Sequence, residues 1–451
     1  MNRRAIWGVA LLGLSAAGAA AASGAGVVSV ADYASIPAAV KANPGRMLYV
    51  PAGDHVVGEK IRLNTDGAGL CGPGRILQSD TNAPVIEIEG AADVRVRDVT
   101  LTRPEGRTET PAEGILAIRC RDLWIDDVRV IDNRTRSAAI ALRECVDARI
   151  RGCLVRNYMR VAVDDRTASA HWGYAFNCID GTGIAVSYSE GTLIQNNRVV
   201  ENRLLPTPEL QRQFRLGELI KKNSAKGSLV SRQTWDSGFV SNWHQGSAII
   251  VTAPESSDLT QILGNLIKNA AQGIDVHADH VIVAQNIIDN AFMGLKAMHG
   301  SRNVLITGNQ FVKNDLWSIG LMPGAAAHPA APPKGTGTGG VAANCDGGSV
   351  IANNIISDFG YGSAHWVWGD GRSPFKFDTA QEPDDPPLTD VVVQGNVVYD
   401  PGREAGRTGE PPRYHYAVIV AGGTNGPKGL HFSGNLLHPG AQGVANVPLS
   451  P

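Results

Sequence analysis

Four side chains able to move or stabilise a proton lie close together in this sequence: Asp275, His277, Lys296 and His299. Taking a proton from the carbon next to a carboxylate needs a cation for the enolate that forms and a base for the proton. Lysine can serve the first need, histidine or lysine the second, and an acidic neighbour holds a lysine charged and oriented. In that reading Lys296 neutralises or acts as base, His277 and His299 are the base and acid candidates, and Asp275 orients them. The pair Asp275 and Lys296 also fits an ordinary ladder of opposite charges, which contributes little at a surface. The choice between the two depends on the elements that carry these residues.

Those elements are declared by a recurring phrase: a few apolar residues, Gly-Asn or a variant, more apolar residues, then Asp or Asn. It reads Val281-Ile282-Val283-Ala284-Gln285-Asn286-Ile287-Ile288-Asp289, then Val304-Leu305-Ile306-Thr307-Gly308-Asn309-Gln310-Phe311-Val312. Other copies centre on Asn197, Asn265, Asn354, Asn396 and Asn435. Asn265 to Asn286 is 21 residues and Asn286 to Asn309 is 23, the length of one coil of a parallel β-solenoid. Each coil parses into three short strands. The first strands are Ile274-Asp275-Val276-His277, Leu295-Lys296-Ala297-Met298 and Ile319-Gly320-Leu321-Met322. Alternation sends Ile274, Val276, Leu295 and Ala297 inward and Asp275, His277, Lys296 and Met298 outward. Asp275 and Lys296 then sit one coil apart at the same position, roughly 5 Å between backbones. The phrase asparagine is expected to take a left-handed backbone and to hydrogen-bond its counterpart in the next coil.

The fold class expected is therefore all-β: one parallel β-helix of about ten coils, a rod on the order of 50 Å long. A short helix over Ile36-Pro37-Ala38-Ala39-Val40-Lys41 is expected to cover its N-terminal end. The length of 451 residues would suggest several domains, but a solenoid is one body whose coils touch only their neighbours. A net charge of -2, with no basic stripe among aromatics, gives no case for nucleic acid. Residues 1–22 read as an export signal, with Arg3-Arg4, the apolar run Ala5 to Leu14 and Ala20-Ala21-Ala22. That run is too short to span a membrane, so a periplasmic or secreted chain without membrane insertion is expected. Cys120 and Cys145 share an offset 25 residues apart, which places them on adjacent coils as a buried ladder or a bridge. The helix domain is 26–451, with 26–75 as cap and first coils.

Three stretches exceed the coil length: 204–245, 323–342 and 359–388. Each flanks the first-strand sheet. The first opens on Thr207-Pro208-Glu209, a capped helix start, contains Arg232 and closes on Trp243-His244. The last surrounds His365-Trp366-Val367-Trp368, read as a first strand with Trp366 and Trp368 outward, suited to stacking on sugar rings or to packing a loop. His280 and His431 read as structural histidines.

The segments Val27-Val28-Ser29-Val30-Ala31-Asp32-Tyr33, Met47-Leu48-Tyr49-Val50-Pro51-Ala52-Gly53-Asp54 and Gly69-Leu70-Cys71-Gly72-Pro73-Gly74, with the repeats, resemble pectate-lyase-like right-handed β-helix proteins. The resemblance covers nearly the whole mature chain. It implies that the first-strand sheet and its bordering loops form a polysaccharide groove, but the scaffold hosts lyases, hydrolases, epimerases, tailspikes and non-catalytic modules. The four titratable residues on that sheet point to a lyase acting on an anionic polysaccharide or oligosaccharide, with Lys296, His277, Asp275 and His299 catalytic. His244, Trp243, Arg232, Trp366 and Trp368 would bind substrate. Hydrolysis, C5 epimerisation and non-catalytic carbohydrate or envelope binding are the alternatives. Neither the Gly-His-Gly with paired aspartates of polygalacturonases nor the Asp-Pro-His of mannuronan epimerases is present. Trp124-Ile125-Asp126-Asp127 is similar to the Trp-Ile-Asp-His of pectate lyases but has Asp127 for the histidine and falls on a second strand. No cofactor is required; Asp164-Asp165 with His171 offers one place for Ca2+. A capped solenoid is expected to be a monomer.

Overall fold

The structure, a computed structural model, describes residues 28–164, 176–205, 207–216, 245–253, 257–324, 326–331, 342–362, 371–380, 384–399 and 412–451. Residues 1–22, read as the export signal, lie outside these. Three long sheets, parallel throughout, hold twelve, thirteen and twelve strands for the first, second and third strand of each coil. The stack runs past ten coils because N-terminal coils without the Gly-Asn phrase still add strands, such as Ile61–Arg62 and Ile86–Glu89 in the first sheet.

Alternation builds the core. Ile249, Ile274, Leu295, Ile319, Phe375 and Val418 pair in register along the first sheet, all fully buried. Each such side chain removed from water contributes about 1.5–3 kcal/mol. Slipping one strand by a residue would exchange this column for the outward one, so the hydrophobic pattern fixes the register.

The phrase asparagines form a continuous ladder. Asn265 Nδ2 donates to Asn286 Oδ1, Asn286 to Asn309, Asn309 to Asn354 and Asn354 to Asn396, each at 2.9 Å. Each acceptor amide oxygen also takes the backbone N–H of the asparagine before it. The left-handed backbone falls one residue earlier than expected, on Gly264, Gln285, Gly308, Asn353 and Gly395. That preceding residue turns the corner, which leaves the asparagine free to face inward and bond. Cys120 and Cys145 are free, buried thiols on neighbouring coils, where Arg121 bridges Val146. They form a ladder rather than a bridge.

The helix Ile36–Ala42 (α1) starts at Ser35, whose hydroxyl accepts the Ala38 N–H, and packs on the strands Asp54–Val57 and Ile61–Arg62 at the N-terminal end. A second helix, Pro208–Phe214 (α2), is capped by Thr207. It lies in the segment between a third-sheet strand, Arg198–Val200, and the next first-sheet strand, Ser247–Thr252. Among the described residues no helix is long and apolar enough to cross a membrane.

One strand differs from expectation. The first-sheet strand of the coil after Trp317–Leu321 is Ser373–Phe377, with Phe375 beside Ile319 and Phe377 beside Leu321. His365-Trp366-Val367-Trp368 therefore does not supply it. Pro374 disguises the true strand, because proline inside an apolar run argues against one. Phe375 and Phe377 still alternate inward around it.

Candidate active site

Five successive strands of the first sheet carry the site: β1 (Ser247–Thr252), β2 (Gln272–Val276), β3 (Met293–Ala297), β4 (Trp317–Leu321) and β5 (Ser373–Phe377). Their register aligns Ile250, Asp275, Lys296, Gly320 and Lys376 in one outward column. Ile274 and Val276 fill the core on either side of Asp275, so Asp275 and His277 share the outer face.

The four candidates converge. Asp275 Oδ2 lies 3.1 Å from Lys296 Nζ, and Asp275 Oδ1 lies 2.8 Å from His277 Nε2. The second contact is close but poorly aligned as a hydrogen bond. The His277 and His299 rings meet edge to face, with centroids 4.7 Å apart and planes at 90°. Ser247 Oγ approaches Asp275 Oδ2 at 3.4 Å, and Thr252 Oγ1 approaches His277 Nδ1 at the same distance. The side chains of Asp275, Lys296 and His277 are only 4%, 13% and 14% exposed. A pair this dry differs from the solvated ladder, because removing one partner would strand a buried charge.

Burial raises the Asp275 carboxyl, but the charges of His277 and Lys296 and its close polar contacts with both outweigh that and hold it well below the usual carboxylate range. It is therefore an anion at neutral pH. His299 goes the other way: burial first, then the neighbouring His277 and Lys296, push it down to about 3. Its ring is neutral. The Ala326 N–H donates to His299 Nδ1 at 3.1 Å, so the ring proton sits on Nε2. His299 thus offers a hydrogen-bond donor and no basic nitrogen, which narrows its role from acid or base to donor.

Several residues that the sequence did not single out belong here. Ser247, Gln272 and Thr252 line the Asp275–His277 side, with Ser247 Oγ 3.3 Å from Gln272 Oε1. On the other side the Trp317 indole lies over Gly320, where a Cβ would fall 2.7 Å from its Nε1. Trp317 is 6% exposed and its N–H has no partner among the described residues. The Lys376 ammonium stands 5.5 Å over the ring and 3.1 Å from Asp378. Lys376 shares the outward column of Lys296, a signal hidden by assigning that coil's strand to residues 365–368. Trp243, His244, Arg232, Trp366 and Trp368 lie outside the described residues, as do Asp165 and His171. His280 sits apart, its Nδ1 3.2 Å from both Asp258 and Asp279.

A family model described as the right handed beta helix region matches residues 79–311, just over half of the chain. The chain belongs to the right-handed β-helix family. No curated protein matches it. Among solved structures, this β-helix is similar to the Agl-KA catalytic domain, at 10% identity and a TM-score of 0.54, covering 95% of this chain and 68% of that one. It is also similar to the A-module of the mannuronan C-5 epimerase AlgE4 of Azotobacter vinelandii, at 12% identity and a TM-score of 0.51, covering 94% of this chain and 99% of that one. The Dettilon tailspike protein matches at 13% identity and a TM-score of 0.51, covering 91% of this chain and 64% of that one. At these identities the likeness is one of fold.

Proposed function

We propose that this β-helix protein acts on an anionic polysaccharide, removing the C5 proton of a uronate residue and eliminating the sugar linked at C4. The observation that carries this is the convergence of Asp275, His277, Lys296 and a neutral His299 on one outward face. Asp275 lies against His277 Nε2, which leaves Nδ1, 3.4 Å from Thr252 Oγ1, to take the C5 proton. Lys296 and the His299 Nε2–H stabilise the charge that builds on the uronate carboxylate. The electron pair of the broken C5–H bond becomes the C4–C5 double bond as the C4–O bond breaks. The His277 imidazolium returns its proton to the departing oxygen. A non-catalytic module has no need to draw these groups together, and hydrolysis uses two carboxylates across the bond, whereas Asp275 is a single carboxylate held between Lys296 and His277.

A second reading shares the first step. In C5 epimerisation the same proton is taken and then returns to the opposite face of the carbanion, and no bond to C4 breaks. Both readings place the substrate outside the cytoplasm, in keeping with the signal-like residues 1–22. Incubation with uronate polysaccharides separates them: β-elimination raises the absorbance of unsaturated uronate, while epimerisation exchanges the C5 proton with solvent deuterium at constant absorbance. Neither change on any uronate polymer sinks the proposal.

A further inference from the structure

The residues around His299 are more elaborate than a corner needs. His299 and Gly300 are both left-handed, at φ 61 and 99. A Cβ on Gly300 would fall 1.8 Å from Asn344 Oδ1, so the turn accepts only glycine there. The chain that leaves β4 bonds His299 twice, through Pro323 O to its N–H at 2.8 Å and through the Ala326 N–H to its ring. The chain returning to the second sheet bonds the same turn again. Asn344 Nδ2 donates to His299 O at 3.1 Å and to Ala326 O at 2.8 Å. Asp346, 2% exposed, accepts the Gly300 N–H at 2.9 Å and the Ser301 N–H at 2.8 Å, one on each carboxylate oxygen. Ser301 Oγ in turn donates to Val276 O, between Asp275 and His277.

We propose that Asp346 is a positioning residue for His299: its carboxylate holds the Gly300–Ser301 turn, and protonating it unlatches the imidazole from Ala326 and from the site. A carboxylate accepts on both oxygens, whereas the acid form turns one of them into a hydroxyl, a weaker acceptor with a hydrogen of its own to place, and so loosens its hold on one amide. Burial pushes the Asp346 carboxyl up to about 7, against the two amides and Arg302, which pull it down. Arg302 is the charged group that bears on it, and it is itself paired with Asp279 at 2.9 Å. The Thr389 N–H, from the next coil, meets only the Asp346 backbone carbonyl. The latch therefore opens as pH falls through neutrality, well before the buried His299 ring would take a proton in place. The catalytic consequence rests on the function proposed above; the latch does not.

The test is 15N NMR of histidine-labelled full-length protein between pH 8.5 and 5.5, with His299 assigned by its loss in His299→Gln. The expected result is distinct bare Nδ1 and protonated Nε2 signals at high pH, converging with a midpoint near 7. Asp346→Asn shows the converged pattern at every pH, and its turnover of uronate polymer falls about tenfold to a hundredfold at pH 8. One fixed tautomer across the whole range in the wild type overturns the latch, whatever the variant does. Absence of turnover with the expected NMR behaviour removes the enzymatic reading and leaves the latch standing.

Discussion

At the scale of single residues, the site is an argument about dryness. An aspartate and a lysine in register on neighbouring coils are common in solenoids; a pair with side chains 4% and 13% exposed, sharing the aspartate with a histidine, is desolvated as a surface ladder is not. Asp275, His277 and Lys296 were legible in the sequence because alternation alone puts them on one face. The state of His299 was not, since its proton is placed by Ala326 and its turn by Asp346, 27 and 47 residues away in the chain. His299 also makes a pH prediction. Its ordinary value of 6.5 falls to about 3 in the fold, so the unfolded chain binds the extra proton between those values. Stability from this group is complete above 6.5 and is lost as pH falls through about 3, on the order of 5 kcal/mol in all. Asp346 acts in the opposite sense: its carboxyl is raised from 3.8 to about 7, so its contribution shrinks as pH rises through that interval. Urea unfolding of His299→Gln is expected to show a flatter acid slope than the wild type between pH 6.5 and 4; an unchanged slope would mean that the ring is charged in the fold.

At the scale of elements, register does most of the positioning. The Asn ladder was legible as a period, but its left-handed residue lies one position earlier, because hydrogen bonding and corner turning fall to different residues. Asn286 shows the cost of removing a rung. Its amide oxygen accepts the Asn265 N–H and side chain at 2.9 Å, and its Nδ2 donates to Asn309 Oδ1 and Ile262 O at the same distance. Asn286→Ala leaves several buried groups unpaired and is expected to lower unfolding stability by about 2–4 kcal/mol, read from the urea midpoint. The strand β5 was missed because Pro374 obscures it, and Lys376 was missed with it. Lys376 lies two coils beyond Lys296, roughly 10 Å along the sheet, too far to serve the same sugar ring. Initial rates on polymer should show Lys376→Ala raising KM several-fold at constant kcat. An equal fall in kcat would place Lys376 at the reacting ring instead.

At the scale of the whole molecule, the chain is a one-dimensional stack whose overall form follows from its repeat length. Nearly all of that form could be read from sequence, since a 21- to 23-residue period with inward alternation admits few architectures. What the period does not carry is what the interruptions do. The segment between β4 and the strand Val350–Ala352 returns to clamp the histidine turn from both of its ends, a contact set by folding across coils rather than by local pattern. The central claim is that the outward face of β2 and β3 performs proton abstraction on a uronate. The most direct measurement follows the absorbance of unsaturated uronate over time as the purified protein, Lys296→Ala and His277→Ala are incubated with a panel of uronate polysaccharides. The account predicts a rise with the wild-type protein that falls at least about a hundredfold in both variants, with each variant unfolding as cooperatively as the wild type. A rise that survives both substitutions would contradict it, because the chemistry would then lie elsewhere on the helix.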